Sequence, residues 1–275
     1  MGGQVAMSGA VGMWRSGEAY ERYIGRWSHR VAADFLRWLG CSGGRWVDVG
    51  CGSGALSAAV LAAAAPRSLV GLDPSADFVR HAQGRLGVGR TSFLVADARR
   101  LPLRTGAADT CAAGLVLNFV PETGAAVAEM SRVTRPGGTV AAYVWDYAEG
   151  MQLIRLFWDA AREHDPGAAD LDEAGRFPLC RPGPLAALFA GAGLLDVETA
   201  ALTVPTRFTS FADYWTPFLA GQGPAPAYVT ALPADQRDVL QATLAARVPI
   251  GADGAVALSA RAWAVRGTVA GEPST

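Results

Sequence analysis

The segment WVDVGCGSGALS, residues 46–57, constrains the fold of this chain more than any other stretch. A short apolar run ends in three glycines at alternate positions, and an alanine-rich run follows. This pattern predicts a β-strand, a tight glycine turn and an α-helix, an arrangement that presents backbone N–H groups to a nucleotide-like ligand. Because Gly50, Gly52 and Ala55 also satisfy the loose dinucleotide pattern G-x-G-x-x-G/A, the turn alone leaves the identity of that ligand open.

The charge balance of the chain narrows the classes of partner. The 275 residues include 24 basic and 25 acidic side chains, and no block is rich in lysine or arginine. A protein that binds a nucleic acid backbone needs a basic surface, so we expect no nucleic acid partner. About half of the residues, 51%, are hydrophobic, which suffices for a large core.

The cysteines and the amino terminus indicate the compartment. Four widely spaced cysteines form no C-x-x-C pair, and only three histidines accompany them, so we expect free thiols and no metal site. The first residues lack the charged start and apolar core of a signal peptide, and the longest apolar run is too short to span a bilayer. These features predict a cytoplasmic protein with no membrane partner.

Strands alternate with helices of 10 to 15 residues as far as about residue 146. Alternation of this kind predicts a parallel sheet with right-handed crossovers. We expect Pro74 at an early helical position and the RPGG segment, residues 135–138, as a turn before the fifth strand. The five predicted strands are RWVDVG, SLVGLD, TSFLVAD, DTCAAGLVLNFV and TVAAYVWD.

The ends of the chain are less regular. Residues 16–40 predict one or two helices, and apolar side chains at helical spacing precede a stop at Gly40. Beyond residue 146 we expect a helix, another near Pro184, a sixth strand in DVETAALTVPTRF and a final strand in AVALSARAWAVRGTVA. Between these two strands, residues 209–250 predict two helices around a Pro/Gly linker, which we interpret as a lid. We divide the chain into an N-terminal helical cap, 1–40, and a main domain, 41–275.

Four ordered features between residues 44 and 146 resemble one family. Asp48 lies two residues before the first glycine and makes the pattern D-x-G-x-G-x-G, Asp73 ends the second strand, Asp97 follows the third, and EMSRVTRPGG precedes the fifth. Asp73 suits the ribose of NAD and of S-adenosylmethionine equally. The other three features resemble class I S-adenosylmethionine-dependent methyltransferases, in particular the small-molecule branch that contains the quinone-biosynthesis (type 11) enzymes.

The resemblance implies a Rossmann-like, doubly wound α/β sheet of seven strands, with only the last strand antiparallel. It also implies that Asp48 lies near the ammonium of the cofactor, Asp73 on its ribose, and Asp97 with Ala98 on its adenine. Purely structural readings stay open, with Asp73 as a helix cap and Asp97 as a turn aspartate. The predicted cofactor-binding residues are Asp48, Gly50, Cys51, Gly52, Gly54, Asp73, Pro74, Ser75, Asp97, Ala98, Leu117 and Asn118.

Residues outside these motifs are candidates for the acceptor site. Aromatic side chains near the amino terminus share one helical face, a pattern typical of packing as well as of ligand contact. We treat Tyr20, Tyr23, Arg26, Trp27, Trp145 and Trp215 as candidate substrate contacts, with packing as the alternative. His29 and Asp146 are the candidate general bases, although His29 can equally be a packing residue and Asp146 can simply end the fifth strand.

The function predicted from these features is transfer of a methyl group from S-adenosylmethionine to an oxygen, nitrogen or carbon nucleophile of a small, partly apolar metabolite, by a monomer or homodimer. Because no residue stands out as a catalytic base, a cyclase or isomerase that binds the same cofactor is an alternative. A methyltransferase that acts on RNA or protein is another, although the near-neutral charge argues against RNA.

Overall fold

A sheet of seven strands organises the chain. The computed structural model describes residues 25–220 and 223–271. The strand order is β3-β2-β1-β4-β5-β7-β6, so the direction of strand addition reverses between β1 and β4. The strands are β1 (Arg45–Val49), β2 (Ser68–Asp73), β3 (Thr91–Val95), β4 (Ala108–Gly114), β5 (Thr134–Trp145), β6 (Leu195–Phe208) and β7 (Val256–Thr268).

The pairing of the strands confirms the predicted fold class. Strand β1 pairs in parallel with β2 and with β4, β2 pairs with β3, and β4 pairs with β5. Strand β7 runs antiparallel, and its end exchanges backbone hydrogen bonds with the start of β5, where Gly137 N lies 2.9 Å from Val269 O. The fold is therefore a Rossmann-like, doubly wound α/β sheet with an antiparallel last strand.

Helices separate most of the strands. Residues 96–107, between β3 and β4, contain no helix. Short 3-10 helices cover Leu117–Phe119, Pro166–Leu171 and Thr216–Ala220. The α-helices in the described part of the chain are α1 (Arg26–Leu39), α2 (Ala55–Ala63), α3 (Ala76–Leu86), α4 (Thr123–Val133), α5 (Gln152–His164), α6 (Glu173–Arg176), α7 (Pro182–Gly191), α8 (Phe211–Trp215), α9 (Pro224–Ala231) and α10 (Ala234–Arg247).

The chain divides into two compact units. One, called the sheet unit below, comprises residues 27–144, 179–202 and the chain from 262 on. The other, called the helical unit, comprises residues 145–178 and 203–261. Strands β6 and β7 contribute residues to both units, because the division falls within each of them.

Helix α1 confirms the apolar pattern predicted near the amino terminus. Val31, Phe35, Leu36 and Leu39 are all buried. The ring of Phe35 packs against that of Tyr143 on β5, with 4.6 Å between the ring centroids. Gly40 follows the helix at a φ of +68°, a conformation that glycine adopts readily, and it stops the helix as predicted.

The amino ends of the parallel strands are joined by an ion cluster. The Asp109 carboxylate at the start of β4 accepts hydrogen bonds from the Arg45 backbone N–H at 2.7 Å and from Arg45 Nε at 3.0 Å. It also accepts from Arg135 Nε at 2.7 Å. The hydrogen bonds from the Arg45 side chain are the main reason that the pKa of Asp109 is lowered. This cluster ties β1, β4 and β5 together.

Two predictions near the sheet are wrong in detail. Pro74 is not in the helix, because Ser75 is the cap of α3 and accepts a hydrogen bond from the Phe78 N–H at 3.4 Å. The predicted fourth strand is too long, since β4 ends at Gly114 and residues Leu117–Phe119 form a 3-10 helix. The apolar composition of this segment resembles a strand, but the positive φ of Leu115, +59°, ends the extended backbone.

Two further predictions are also corrected. The RPGG segment does not precede β5 as a turn, because it lies within β5, where the register with β4 shifts between Ala108 and Thr110. The predicted Pro/Gly linker contains helix α9, which begins at Pro224. Proline is well tolerated in the first turn of a helix, where the N–H has no partner within the helix.

Aromatic side chains form the core of the helical unit. The rings of Phe157 and Phe218 stack with centroids 4.6 Å apart, and Tyr214 lies 5.6 Å from Phe218. Tyr214 is fully buried and its hydroxyl donates a hydrogen bond to the Leu153 carbonyl at 3.2 Å. Residues 209–250 are largely helical, as predicted, and their function as a lid stays a prediction.

None of the helices in the described ranges is long and apolar enough to span a bilayer. No disulfide links the four cysteines, all of which lie in the described part of the chain.

Candidate active site

The glycine turn after β1 combines close packing with open space. Gly50 has a φ of +70°, and a Cβ atom there would lie 2.5 Å from a methyl group of Val116. Gly52 also has a positive φ, +51°, but a Cβ atom there would meet nothing within 4 Å. Gly50 is therefore required for packing between the β1 and β4 turns, whereas Gly52 leaves room for a ligand to approach the backbone.

Cys51 and Gly54 support this turn from the side of the core. The Cys51 side chain packs with Val79, Ala82 and Phe93, and its burial raises the pKa of the thiol. A Cβ atom on Gly54 would lie 2.8 Å from Leu86. The Cys51 backbone also holds the turn, because its N–H donates to Leu72 O at 3.0 Å and its carbonyl accepts from Gly54 N at 2.8 Å.

Asp73, at the end of β2, holds the turn through backbone hydrogen bonds. Its Oδ2 accepts from Gly52 N at 3.0 Å and its Oδ1 accepts from Ser75 N at 2.9 Å. Burial raises the pKa of Asp73, while these two hydrogen bonds oppose the shift. Each carboxylate oxygen keeps a lone pair, so Asp73 can still accept from two hydroxyl groups of a diol.

Asp48 is a buried carboxylate with one unused oxygen. Its Oδ2 accepts a hydrogen bond from Ser57 Oγ of α2 at 2.6 Å. Its Oδ1 has no hydrogen-bond partner within the described ranges. Burial is the largest influence on this group and raises the pKa of Asp48 to about 7. A buried acceptor without a partner is costly, so this oxygen is suited to a donor from outside the chain.

Asp97 and Ala98 begin the helix-free loop after β3. The loop is joined to β2 by a hydrogen bond from Ala96 N to Asp73 O at 3.1 Å. The Asp97 side chain pairs with Arg99, with 2.6 Å between Oδ2 and Nη2, and this pairing lowers the pKa of Asp97. Asp97 is half-exposed, so its outward lone pairs are accessible to an amine.

The turn after β4 is strained and carries an unused donor. Leu115 adopts a φ of +59°, which is costly for a residue with a Cβ atom, and its N–H donates to Tyr143 O at 2.8 Å. Leu117 is fully buried. Asn118 Nδ2 is buried and has no hydrogen-bond partner among the residues that the structure describes. Strain and an unused polar group at the end of a central strand are typical of a ligand site.

The sheet unit thus brings part of the predicted cofactor site together. The glycine turn contacts Asp73 through Gly52 and contacts the β4 turn through Gly50 and Val116. The strand order places this cluster where the direction of strand addition reverses, which is where open α/β sheets bind ligands.

The candidate residues near the amino terminus are only partly described. Tyr20 and Tyr23, as well as the side chain of Arg26, lie outside the described residues. Trp27 is buried in α1, and His29, on the same helix, is half-buried. Their contact with substrate or cofactor stays a prediction.

The remaining candidates belong to the helical unit. Trp145 is buried, and its Nε1 has no hydrogen-bond partner in the described part of the chain. Trp215 is buried and packs against Phe218. Asp146 accepts hydrogen bonds from Arg261 Nε at 2.7 Å and from Glu149 N at 3.1 Å, so both of its oxygens are engaged. This pairing favours a structural role for Asp146 over proton transfer.

The structure adds residues that the sequence patterns did not single out. Ser57 holds Asp48, and Arg99 holds Asp97. An arginine two residues after an acid is only a weak indication of a functional residue, because such pairs occur throughout protein surfaces. The strain at Leu115 has no sequence signal, since leucine is uncommon in that conformation.

Comparisons with known proteins give a family match and several relatives. Residues 47–142 match the family model of a methyltransferase domain. The ubiquinone/menaquinone biosynthesis C-methyltransferase UbiE of Syntrophotalea carbinolica is 36% identical over 138 residues, which cover 48% of this chain and 55% of UbiE. A malonyl-[acyl-carrier protein] O-methyltransferase of Pectobacterium atrosepticum is 33% identical over 128 residues, 42% of this chain and 49% of that protein. The chain spans about half the length of these two relatives.

Solved structures show the same fold. The YcgJ protein of Bacillus subtilis superposes with a TM-score of 0.58 at 17% identity, covering 89% of this chain and 100% of that chain. Phosphoethanolamine N-methyltransferase 2 of Haemonchus contortus, solved with S-adenosyl-L-methionine, gives a TM-score of 0.56 at 14% identity, covering 96% and 57%. The family match over residues 47–142 and the strand order together indicate a methyltransferase domain with the class I, S-adenosylmethionine-dependent fold in this part of the chain. Residues 47–142 are therefore similar to the methyltransferase domains of these relatives.

Proposed function

We propose that this protein transfers the methyl group of S-adenosylmethionine to an oxygen, nitrogen or carbon nucleophile of a small, partly apolar metabolite. The observation that carries the proposal is the open space at Gly52, whose N–H donates to the buried Asp73, while a second buried acid, Asp48, lies on the preceding strand β1. The two relatives described above are named as a C-methyltransferase and an O-methyltransferase, which supports methyl transfer and leaves the acceptor atom open.

The polar groups around the glycine turn fit the cofactor. The unused Asp48 oxygen suits the ammonium of the methionine part, and Asp73 suits the ribose diol. Asp97 and the Ala98 N–H would recognise the adenine edge. The full set of residues proposed to bind the cofactor is Asp48, Gly50, Cys51, Gly52, Gly54, Asp73, Pro74, Ser75, Asp97, Ala98, Leu117 and Asn118.

The main contribution expected of the chain is to align the acceptor nucleophile with the methyl group of the cofactor. The bound cofactor supplies a methyl group on a positively charged sulfur, and the neutral thioether that remains after transfer is a good leaving group. The glycine turn and the acids would fix the donor, and the β4 turn would hold the acceptor in line with it. The Asn118 amide offers a buried donor to that acceptor. A general base is needed only if the nucleophile is protonated, and His29 stays the candidate for that role.

Calorimetry tests cofactor binding directly. Titration should show S-adenosylmethionine and S-adenosylhomocysteine binding with micromolar or better affinity, and no binding of NADH. Binding of NADH without binding of either sulfur ligand would overturn the proposal.

Mass spectrometry tests the transfer itself. With a panel of small phenols and carboxylic acids as acceptors, each methylated product should appear together with one equivalent of S-adenosylhomocysteine. A product that forms without S-adenosylhomocysteine would indicate a cyclase or isomerase instead.

A further inference from the structure

Two charged residues of helix α4 hold the loop between β3 and β4. Glu129 and Arg132 lie about one helical turn apart and pair with each other, with 2.6 Å between Oε1 and Nε. Glu129 Oε2 also accepts a hydrogen bond from Leu101 N at 2.8 Å. Arg132 donates from Nη2 to Leu101 O at 3.1 Å and from Nη1 to Leu103 O at 2.9 Å. We call these two residues the α4 clamp.

The clamped loop contains turns but no helix or strand, so contacts with other elements help to fix its position. Residues 96–107 connect β3, at the edge of the sheet, to β4 without a helix. Leu101 is buried, so its backbone N–H and C=O could not be satisfied by water. The α4 clamp supplies the partner of the N–H, and it shares the C=O with the Leu103 N–H, which donates at 2.8 Å.

The chemistry of the clamp makes it rigid. Arg132 uses Nε, Nη1 and Nη2 at once, and a planar guanidinium that binds in this way loses little freedom per hydrogen bond. Pairing with Arg132 lowers the pKa of Glu129, so the carboxylate stays charged at neutral pH. Both side chains are at least half-buried, which limits screening by water.

The same loop begins with Asp97 and Ala98, which are proposed above to recognise adenine. Asp97 is half-exposed, and its side-chain partner is Arg99, which lies on the same loop. The position of the Asp97 carboxylate therefore depends on the position of the loop. The loop is held to β2 at Ala96 and to α4 at Leu101 and Leu103.

We propose that Glu129 and Arg132 are positioning residues for base recognition, which act through the loop and not by touching the cofactor. This inference rests on the proposed function. It joins two sequence features that are separate along the chain, the segment around Asp97 and the EMSRVTRPGG segment.

The test compares two ligands that differ only at the base. S-adenosylhomocysteine carries an amine that Asp97 can accept from, whereas its inosine analogue carries a carbonyl oxygen there. The wild-type protein should prefer the adenosine ligand by roughly 50-fold, the value of a hydrogen bond to a charged group. In Arg132→Gln this preference should fall to about 5-fold, because the Leu101 and Leu103 carbonyls lose the guanidinium that holds them to α4.

Three variants complete the design. Arg104→Gln is the matched control, since Arg104 is an exposed arginine of the same loop, and it should keep the full preference. Arg132→Lys, which keeps the charge but cannot hold both carbonyls, should be intermediate and serves if the glutamine variant fails to fold. In an Asp97→Asn background, Arg132→Gln should change the preference by less than about twofold, because the residue that it positions has already been altered.

A merely structural role predicts a different result. In that case Arg132→Gln and Arg132→Lys weaken both ligands equally and leave the base preference unchanged, which would overturn the inference while cofactor binding stands. If the wild-type protein binds neither ligand, the proposed function fails and this inference fails with it.

Discussion

Two carboxylates in the sheet unit, Asp109 at the amino ends of the parallel strands and Asp48 near their carboxyl ends, differ in how completely they are hydrogen-bonded. At the amino ends, both oxygens of Asp109 accept hydrogen bonds, from Arg45 and from Arg135. At the carboxyl ends, Asp48 leaves one oxygen without a partner among the described residues, although its side chain is buried. The pKa values of the two groups shift in opposite directions. Pairing lowers the pKa of Asp109, whereas burial raises that of Asp48 to about 7.

This difference separates structural polar groups from groups that are available to a ligand. Asp109 is stabilised within the chain and serves the fold. The unused capacity of Asp48 and Asn118 is a cost to the folded chain that a bound ligand can remove. The contrast is a physical argument for a site at the carboxyl ends that does not depend on the family match.

Substitution of Gly52 has the largest expected effect. Gly52→Val places a side chain in the open space and should weaken binding of S-adenosylhomocysteine by about 1,000-fold, as measured by calorimetry. Gly137→Val is the matched control at the amino end, because Gly137 also has a positive φ, +68°, and its hypothetical Cβ approaches other atoms no closer than 3.7 Å. Both variants should lose about 1–2 kcal/mol of stability from backbone strain. Equal binding by the two variants would contradict the account.

The next largest effect is expected on the unfolding free energy as the pH changes. The pKa of Asp48 is raised in the folded protein, to about 7 from 3.8, so its contribution to stability is lost as the pH rises through this range. From pH 5.5 to pH 8.5 the ligand-free wild-type protein should lose about 2 kcal/mol of unfolding free energy through this group. Asp48→Asn should remove that loss in denaturant titrations at the two pH values.

Asp109 supplies the control for this measurement. Its pKa is lowered, so its contribution is complete above its unfolded value of 3.8 and is lost only at more acidic pH. Asp109→Asn should therefore be less stable than wild type by a similar amount at pH 5.5 and at pH 8.5. A pH slope that disappears in Asp109→Asn and persists in Asp48→Asn would reverse the comparison.

The smallest effect is expected at the amino-end cluster. Arg135 is half-exposed and Asp109 keeps its hydrogen bonds to Arg45 without it. Arg135→Gln should thus cost about 0.5 kcal/mol of stability and leave ligand affinity unchanged. Thermal melting and calorimetry on one preparation test both statements, and a weakened affinity would show that the amino end contributes to binding.

Local sequence patterns predicted the sheet well because each strand and its helix have distinct hydrophobic periods. They failed where distant contacts decide the local structure. The RPGG segment joins β5 because Gly137 bonds to Val269, more than 130 positions away. The sequence predicts a linker where α9 forms, because prolines in the first turn of a helix resemble a helix break.

The candidate site was predicted to a similar extent. The glycine turn and the acids follow strands, and the carboxyl ends of parallel strands share one edge, so their proximity follows from the topology. The hydrogen-bond partners of these acids do not follow from the topology. The contacts of Ser57 with Asp48, of Arg99 with Asp97 and of the α4 clamp with the loop are set by side-chain geometry. The open space at Gly52 likewise requires the positions of neighbouring elements.

The most direct test of the contrast between the two ends is the affinity for S-adenosylhomocysteine of two isosteric variants, Asp73→Asn and Asp109→Asn, measured by calorimetry. Asp73→Asn should weaken binding by roughly 50-fold, because it removes a charged acceptor from the site. Asp109→Asn should keep the wild-type affinity within about threefold while lowering the melting temperature. Equal affinities in the two variants, or a greater loss in Asp109→Asn, would contradict the assignment of the ligand site to the carboxyl ends.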